Sequence, residues 1–497
     1  MSMIRPLRLA LIVALSLPSL ALAEAGEFLP NEAGGDQWHL KSRTEEPAGA
    51  NVRAVWPTAN GTGAVIGIVD DGLQHTHPAL QPNYSSELSF DFNNNDPDPS
   101  PVTDGSCWSY PTANCHGTAV AGVAAARGDN GVFGAAPSAT LAGLRLIAAG
   151  LSPDDSTEAA AFRHQPDAIH ITNNSWGPLD DGRTLDRPGP LAQAAIEEAI
   201  QLGRGGRGRI FVWAAGNGLA RQDNCNFDGY ANNRFVIAVA ALADNAQQAP
   251  YSEPCSAMFV TAPSSGGARG ITTTDLVGAP GYDPTDYTNA FGGTSSAAPL
   301  VSGVAALMLS RNPALTWRDV KHILVLTSVK VAPTDPGWST GPFPHNEKFG
   351  FGLVDAEAAA NRAATWTNVA AESRAEVVRE VNQTIPDNDP TGLADSVTFG
   401  SEFANFAVEH VEVEFTATHP YRGDLEVTLT SPSGVMSRLA TVRNRDFSAD
   451  FSSWPFSSVR HWGEGAAGTW TLRVTDGVVG DEGTWTAWKL RIFGTRN

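Results

Sequence analysis

Apolar runs and polar breaks divide this chain into two regimes. In the first, short and nearly continuous apolar runs alternate with segments of helix length. The clearest runs are Ala64-Val65-Ile66-Gly67-Ile68-Val69, Ile169-His170-Ile171-Thr172 and Ile210-Phe211-Val212-Trp213-Ala214. Runs of this kind suit strands buried on both faces of a parallel sheet. Residues 118–127, 191–202 and 297–310 have the spacing of helices. Strand and helix alternate down to Ala364. This predicts an α/β domain, with a doubly wound, mainly parallel sheet whose functional groups lie at the strand ends.

The pattern changes after Ala364. About twenty residues are polar and acidic without a strand period, and from Ser396 onward apolar and polar positions alternate, as in Val411-Glu412-Val413-Glu414-Phe415 and Leu425-Glu426-Val427-Thr428-Leu429. Turn signals such as Ser431-Pro432-Ser433-Gly434 separate these strands. An all-β sandwich is expected there. The predicted boundaries are 1–23 for an export signal, 24–364 for the α/β domain, 365–381 for a linker and 382–497 for the sandwich.

Composition refines this picture in three places. The length of 497 residues suits two domains. Fifty-three acids against thirty-three bases give a formal charge of -20, which disfavours nucleic acid and favours cationic ligands such as metal ions or basic peptides. At the N-terminus, Arg5 and Arg8 precede an apolar run from Leu9 to Leu17, and Ala21-Leu22-Ala23 is a small-x-small cleavage pattern. Export is therefore expected, to the periplasm or beyond, with no membrane anchor.

Four cysteines in an exported chain imply two disulfides, and three pairings are open. Cys107 with Cys115 and Cys225 with Cys255 is the favoured set, the first closing a short loop ahead of His116. Zinc on Cys107, Cys115 and His116 is the rival reading.

The chemistry concentrates in three segments: Val69-Asp70-Asp71-Gly72, His116-Gly117-Thr118 and Gly293-Thr294-Ser295-Ser296-Ala297-Ala298-Pro299. An acid, an imidazole and a hydroxyl supply the orienter, proton acceptor and attacking oxygen of a serine nucleophile. Each alone reads as a turn acid or a helix cap. Their conjunction and order, Asp, His, Ser, is that of the subtilisins.

With these segments the sequence resembles the kexin/furin branch of the subtilase family. More specific marks are the Asp70-Asp71 pair, Ser175-Trp176-Gly177-Pro178 and Asn224-Cys225-Asn226-Phe227-Asp228-Gly229-Tyr230. The C-terminal region resembles the P-domain of proprotein convertases through His419-Pro420-Tyr421-Arg422-Gly423-Asp424-Leu425, Trp462-Gly463-Glu464 and Gly468-Thr469-Trp470. The resemblance implies a serine endopeptidase in which Ser295 attacks, His116 moves the proton, Asp70 orients it and Asn217 donates to the oxyanion.

It also implies a cleft for basic side chains, with Ser175, Trp176 and Gly177 along the substrate. Asp180 and Asp228 match the acids that frame the pocket for the residue before the cut bond. Asp71 matches the acid facing the next residue upstream, and Glu158 and Asp186 those facing the fourth. Ala113 and Leu179 stand where further acids are expected, so the dibasic demand should be weaker. Calcium is the implied cofactor, at Asp91, Asp96 and Asp98 and at Asp180, Asp223 and Glu253. At a third family site Asn130 remains, but Ala79 and Asn31 replace acids. A broad-specificity subtilase and an inactive adhesion protein are the alternatives.

The family's first recognisable motif here, Gln37-Trp38-His39-Leu40, follows closely on the export signal, and no Lys or Arg lies between Glu24 and Leu40. The expectation is a separate chaperone protein in place of an internal pro-region.

Overall fold

The computed structural model describes residues 36–102, 107, 114–128, 131–148, 151–278 and 281–496. The export signal at 1–23 and the positions Asn31, Ala113 and Asn130 lie outside the described residues.

The first domain is built on β1 (Val65–Asp70), β2 (Phe90–Asp91), β3 (Thr140–Arg145), β4 (Ile171–Asn174), β5 (Ile210–Ala214), β6 (Val236–Leu242) and β7 (Val260–Pro263). They form a seven-stranded sheet in the order β2-β3-β1-β4-β5-β6-β7, every pairing parallel. The continuous apolar runs have the expected cause, since both faces are covered. In β5, Ile210, Val212 and Ala214 enter the main core, while Phe211 and Trp213 point to the other face. On the first face lie α1 (His116–Ala125) and α4 (Thr294–Arg311); on the second, α2 (Asp155–Arg163) and α3 (Pro190–Gly206). A two-stranded ladder of β8 (Ile271–Thr274) and β9 (Tyr287–Phe291), then α5 (Trp317–Thr327) and α6 (Ala356–Ala364), complete the domain. No helix among the described residues is long and apolar enough to cross a membrane.

The second domain is a sandwich of two antiparallel four-stranded sheets. One contains β10 (Ser373–Ile385), β17 (Gly483–Arg496), β12 (Phe406–Thr418) and β15 (Phe451–Ser458) in that order. The other contains β11 (Leu393–Phe399), β16 (Gly468–Asp476), β13 (Leu425–Thr430) and β14 (Met436–Ala440). Trp470, Trp485 and Trp488 fill the space between them.

Two boundaries differ from the sequence expectation. The span assigned to a linker, 365–381, overlaps β10, so the sandwich starts at Ser373 and not at 382. The strand was hidden because it is an edge: paired only with β17, it leaves most of its residues exposed and carries Arg374, Glu376, Arg379 and Glu380. The helix expected near Ala297 begins at Thr294, which puts Ser295 inside its first turn.

A buried ion pair joins the domains. Arg318 of α5 donates from Nε and Nη2 to the two carboxylate oxygens of Glu409 in β12, at 3.0 and 2.6 Å.

Candidate active site

The buried strand β1 delivers Asp70 at its C-terminal end, where the carboxylate is 1% exposed. His116 is the first residue of α1, and its Nδ1 lies 2.9 and 3.1 Å from the two Asp70 oxygens. That contact assigns the ring proton to Nδ1 and leaves Nε2 as the basic nitrogen. The helix reaches the strand only because residue 117 is glycine. A Cβ there would lie 2.1 Å from the Gly72 carbonyl oxygen and 2.9 Å from the Asp70 Cβ. Burial opposes charge on the imidazole, but the Asp70 carboxylate, by charge and hydrogen bond, and the Asp71 charge outweigh it and push His116 up to about 9.

Ser295 is partly exposed in the first turn of α4, after Gly293 at φ +74°. Its Oγ donates to the Ser175 carbonyl at 3.3 Å, and Ser175 Oγ donates to the Ser295 carbonyl at 3.0 Å. Pro299 explains the second bond. Four residues on from Ser295, it has no N–H to give, so the helix cannot satisfy the Ser295 carbonyl and Ser175 does. The neighbouring Ser296 is fully buried, its Oγ 2.7 Å from Ser264 Oγ. Of the two hydroxyls, only that of Ser295 faces the cleft.

Asn217 follows the end of β5. Its Oδ1 accepts from the Thr294 N–H at 2.8 Å and from the Thr294 hydroxyl at 3.1 Å, which fixes the amide and turns Nδ2 toward Asp180 Oδ2 at 3.4 Å. Asn217, Thr294 and Ser295 line one cleft of about 570 Å³, together with Ser175, Trp176, Gly177, Glu158, Asp180, Asp186 and Asp228. A nucleophile, a side-chain amide donor and four acids therefore meet in one depression. These residues come from five separate segments of the chain.

Among these acids, Asp228 is pushed up to about 8, chiefly by burial and against the pull of the Tyr230 and Ala231 N–H groups it accepts at 2.7 and 3.2 Å. Its Oδ2 would be 2.9 Å from a Cβ at residue 177, so glycine leaves this oxygen open to the cleft. Glu158 is pushed up to about 7 by burial, despite a hydrogen bond from the Tyr230 hydroxyl at 2.9 Å. Neither carboxyl has an ion-pair partner among the described residues. Leu179, which stands in place of an acid, is 66% exposed on the cleft rim.

Asp71 departs from its expected place on the substrate path. It is 6% exposed, and its oxygens accept the His116 and Gly117 N–H groups at 3.0 and 2.8 Å. Those donors are unpaired at a helix start, so the carboxylate is turned inward to cap α1. Burial and the Asp70 charge push it up to about 7.

The two expected calcium clusters differ in geometry. Asp91 is 1% exposed and ion-paired to Arg145 at 2.6 Å, Asp96 accepts the Asp98 N–H, and Asp98 faces His75 at 3.4 Å. These three carboxylates serve separate partners and do not form a shared site. Asp180, Asp223 and Glu253 instead line one small cavity beneath the cleft. Burial raises Asp223 and holds Glu253 well above the usual carboxylate range, the latter reinforced by the Asp223 and Asp180 charges. Among the described residues no three acidic, histidine or cysteine side chains stand at metal-ligand spacing. The donor chemistry of this second set fits a hard cation, since among the described residues the three crowded carboxylates have only the Arg443 guanidinium, 3.3 Å from Asp223, to offset them.

Both expected disulfides are formed, Cys107 with Cys115 and Cys225 with Cys255. Tyr230, Asn226, Phe227 and Arg443 also shape the site: the first three sit inside the Asn224–Tyr230 motif, whereas nothing in the local sequence distinguishes Arg443.

Comparison with known proteins matches the subtilase family over residues 61–352 and the proprotein convertase P-domain over residues 408–492. Human proprotein convertase subtilisin/kexin type 7 is 40% identical over 92% of this chain and 59% of its own length. Rat proprotein convertase subtilisin/kexin type 6 is 40% identical over 90% of this chain and 48% of its own length. The chain thus spans about half to three-fifths of these relatives. The crystal structure of the Aeromonas sobria serine protease superposes with a TM-score of 0.81 at 23% identity, covering 92% of this chain and 95% of that one. The same protease in complex with the chaperone ORF2 gives 0.82 at 22% identity, covering 93% and 94%. At that identity the likeness carries the fold.

Proposed function

The chain belongs to the subtilase family, in the branch that carries a proprotein convertase P-domain, and on that premise we propose that it is a serine endopeptidase cutting after arginine or lysine. Ser295 attacks the carbonyl, and His116 Nε2 takes the proton while Asp70 steadies the imidazolium that forms. Asn217 Nδ2 and the start of α4 face the oxyanion. The Ser295 hydroxyl must first leave the Ser175 carbonyl to give its proton to His116.

One observation carries the specificity: Asp228 is a carboxyl in the cleft, held largely from water and without a cation. An arginine or lysine side chain supplies the missing charge, and a guanidinium can do so with two parallel hydrogen bonds. With Asp71 turned inward, the residue one position upstream meets little acidity, so a single basic residue suffices. A peptide series varying only the residue before the cut bond tests this. Turnover of arginine and lysine peptides well above leucine and phenylalanine peptides is expected, and a flat series refutes it.

We propose calcium at Asp180, Asp223 and Glu253, where it would offset the crowded carboxylates below the pocket. Export through the 1–23 signal accords with the two disulfides. For folding we propose a separate helper protein, as the structural neighbour from Aeromonas sobria is known in complex with a chaperone. Prompt recovery of active enzyme from denaturant without any helper would remove that part.

A further inference from the structure

The segment that brings Asp228 to the cleft is held from behind by the sandwich. Phe227 is 3% exposed and belongs to the sandwich core, with its ring 5.9 Å from Phe456. Asn226 pairs with β15 as a strand would: its Oδ1 accepts the Ser457 N–H at 3.0 Å, and its Nδ2 donates to the Ser457 carbonyl at 3.1 Å. The Trp454 indole donates to the Asn226 carbonyl at 3.0 Å, and Asn232 Nδ2 donates to the Pro455 carbonyl at 2.8 Å. The loop that carries a specificity acid thus completes the core of the other domain.

Arg443, just beyond β14, reaches into the same region with its side chain 1% exposed. Its guanidinium lies 3.7 Å over the Phe227 ring. Nη1 donates to the Thr184 carbonyl at 2.8 Å and to Asp223 at 3.3 Å, and Nη2 donates to the Arg183 carbonyl and to Asp446. Arg422 adds bonds to Asp446 and to the Arg183 carbonyl at 2.9 and 3.1 Å. Residues 180–184 carry Asp180, and residues 223–228 carry Asp228. One sandwich arginine is bonded to both segments. Among the described residues its Nε has no hydrogen-bond partner.

We propose that Arg443 is a positioning residue for the basic-residue pocket: the β-sandwich fixes the spacing of Asp180 and Asp228, so the choice of side chain before the cut bond is a property of both domains. This rests on the proposed endopeptidase reading. In a rigid pocket the carboxylates meet a planar guanidinium in register, whereas a slack one accepts a flexible ammonium nearly as well.

The test uses the full-length chain with Arg443→Met and Arg443→Lys. Three quantities are read: kcat and KM for arginine and lysine peptides and the rate at which a small alkyl fluorophosphonate labels Ser295, both below the melting temperature, and the melting temperature itself. The probe does not occupy the basic-residue pocket, so it reports the catalytic groups alone. For Arg443→Met, kcat/KM on the arginine peptide should fall at least tenfold, mostly through KM. The arginine-to-lysine ratio should shift at least threefold, with labelling within twofold of wild type and partial recovery in Arg443→Lys. Parallel loss of labelling and of both peptides would reduce Arg443 to a stabilising contact and overturn the proposal, as would no change at all. Should Arg443→Met not fold, Phe227→Leu and Asp446→Asn loosen the same clasp and are read by the same ratio. A wild-type chain that is labelled yet prefers no basic residue refutes the endopeptidase specificity, not the clasp. The ratio is then taken between the two residues it cuts best, where the same shift is required.

Discussion

Asp228→Asn isolates the charge of the proposed specificity pocket with little change of shape. Asparagine keeps an Oδ1 to accept the Tyr230 and Ala231 N–H groups, so the turn holding residue 228 retains its bonds. Burial pushes the Asp228 carboxyl up from 3.8 to about 8, so in the empty cleft at pH 7 removing its proton costs about 1.4 kcal/mol, the worth of one pH step. A bound guanidinium must first offset that cost, so only the surplus appears as preference. Removing one partner of such a hydrogen-bonded pair typically loses about 2–4 kcal/mol, or roughly 30- to 1,000-fold in kcat/KM. Arginine peptides should lose that much, while leucine peptides stay within about threefold. Steady-state kinetics on matched peptides decide it, with melting temperatures as the control. The same raised pKa predicts that KM for the arginine peptide climbs as pH falls through about 8, because the carboxyl must give up its proton to bind. An Asp228→Asn enzyme that keeps its arginine preference, or that loses arginine and leucine peptides equally, would refute the reasoning.

Ser295→Ala should lose at least about 10⁴-fold in activity with an unchanged melting temperature, whereas Ser296→Ala should keep activity and lose about 1 kcal/mol through its buried bond to Ser264; the reverse pattern would move the nucleophile. Catalysis needs neutral His116, so kcat/KM should rise with pH toward the value of about 9 to which Asp70 and, to a lesser extent, Asp71 push the ring, and Asp71→Asn should lower that midpoint. An unmoved pH profile in Asp71→Asn counts against the electrostatic account. Across the domain boundary, burial works against the Glu409 charge, but His322 and Arg318 outweigh it and hold the carboxyl down at about 2. The stabilisation, about 3 kcal/mol, is present above the ordinary value of 4.5 and lost as pH falls through about 2. The gap in melting temperature between wild type and Glu409→Gln should therefore close over that interval; a constant gap would show that the pair contributes nothing electrostatic.

Whatever depends on near neighbours was readable along the chain. Parallel strands buried on both faces need continuous apolar runs, which is why β1 and β5 stood out from their surroundings, and β12 and β13 betrayed the sandwich by alternation. The nucleophile, imidazole and acid were recognisable because each lies within two residues of a glycine, and at Gly117 close packing under the Gly72 carbonyl requires one. Tertiary structure decided where each charged group points. Asp70 and Asp71 are adjacent and both reach the start of α1, yet the first meets the His116 imidazole and the second the His116 and Gly117 N–H groups, a division set by how the helix packs on the strand end. Asp91 and Asp223 look alike as loop acids, and only packing gives the first to Arg145 and leaves the second in a crowded carboxylate pocket. The edge strand β10 escaped notice since half-solvated pairing makes no demand for apolar residues. The union of the pocket loop with the sandwich, through Phe227 and Arg443, joins positions more than two hundred residues apart. No local pattern encodes such a contact, because it is fixed by the shapes of two finished domains meeting.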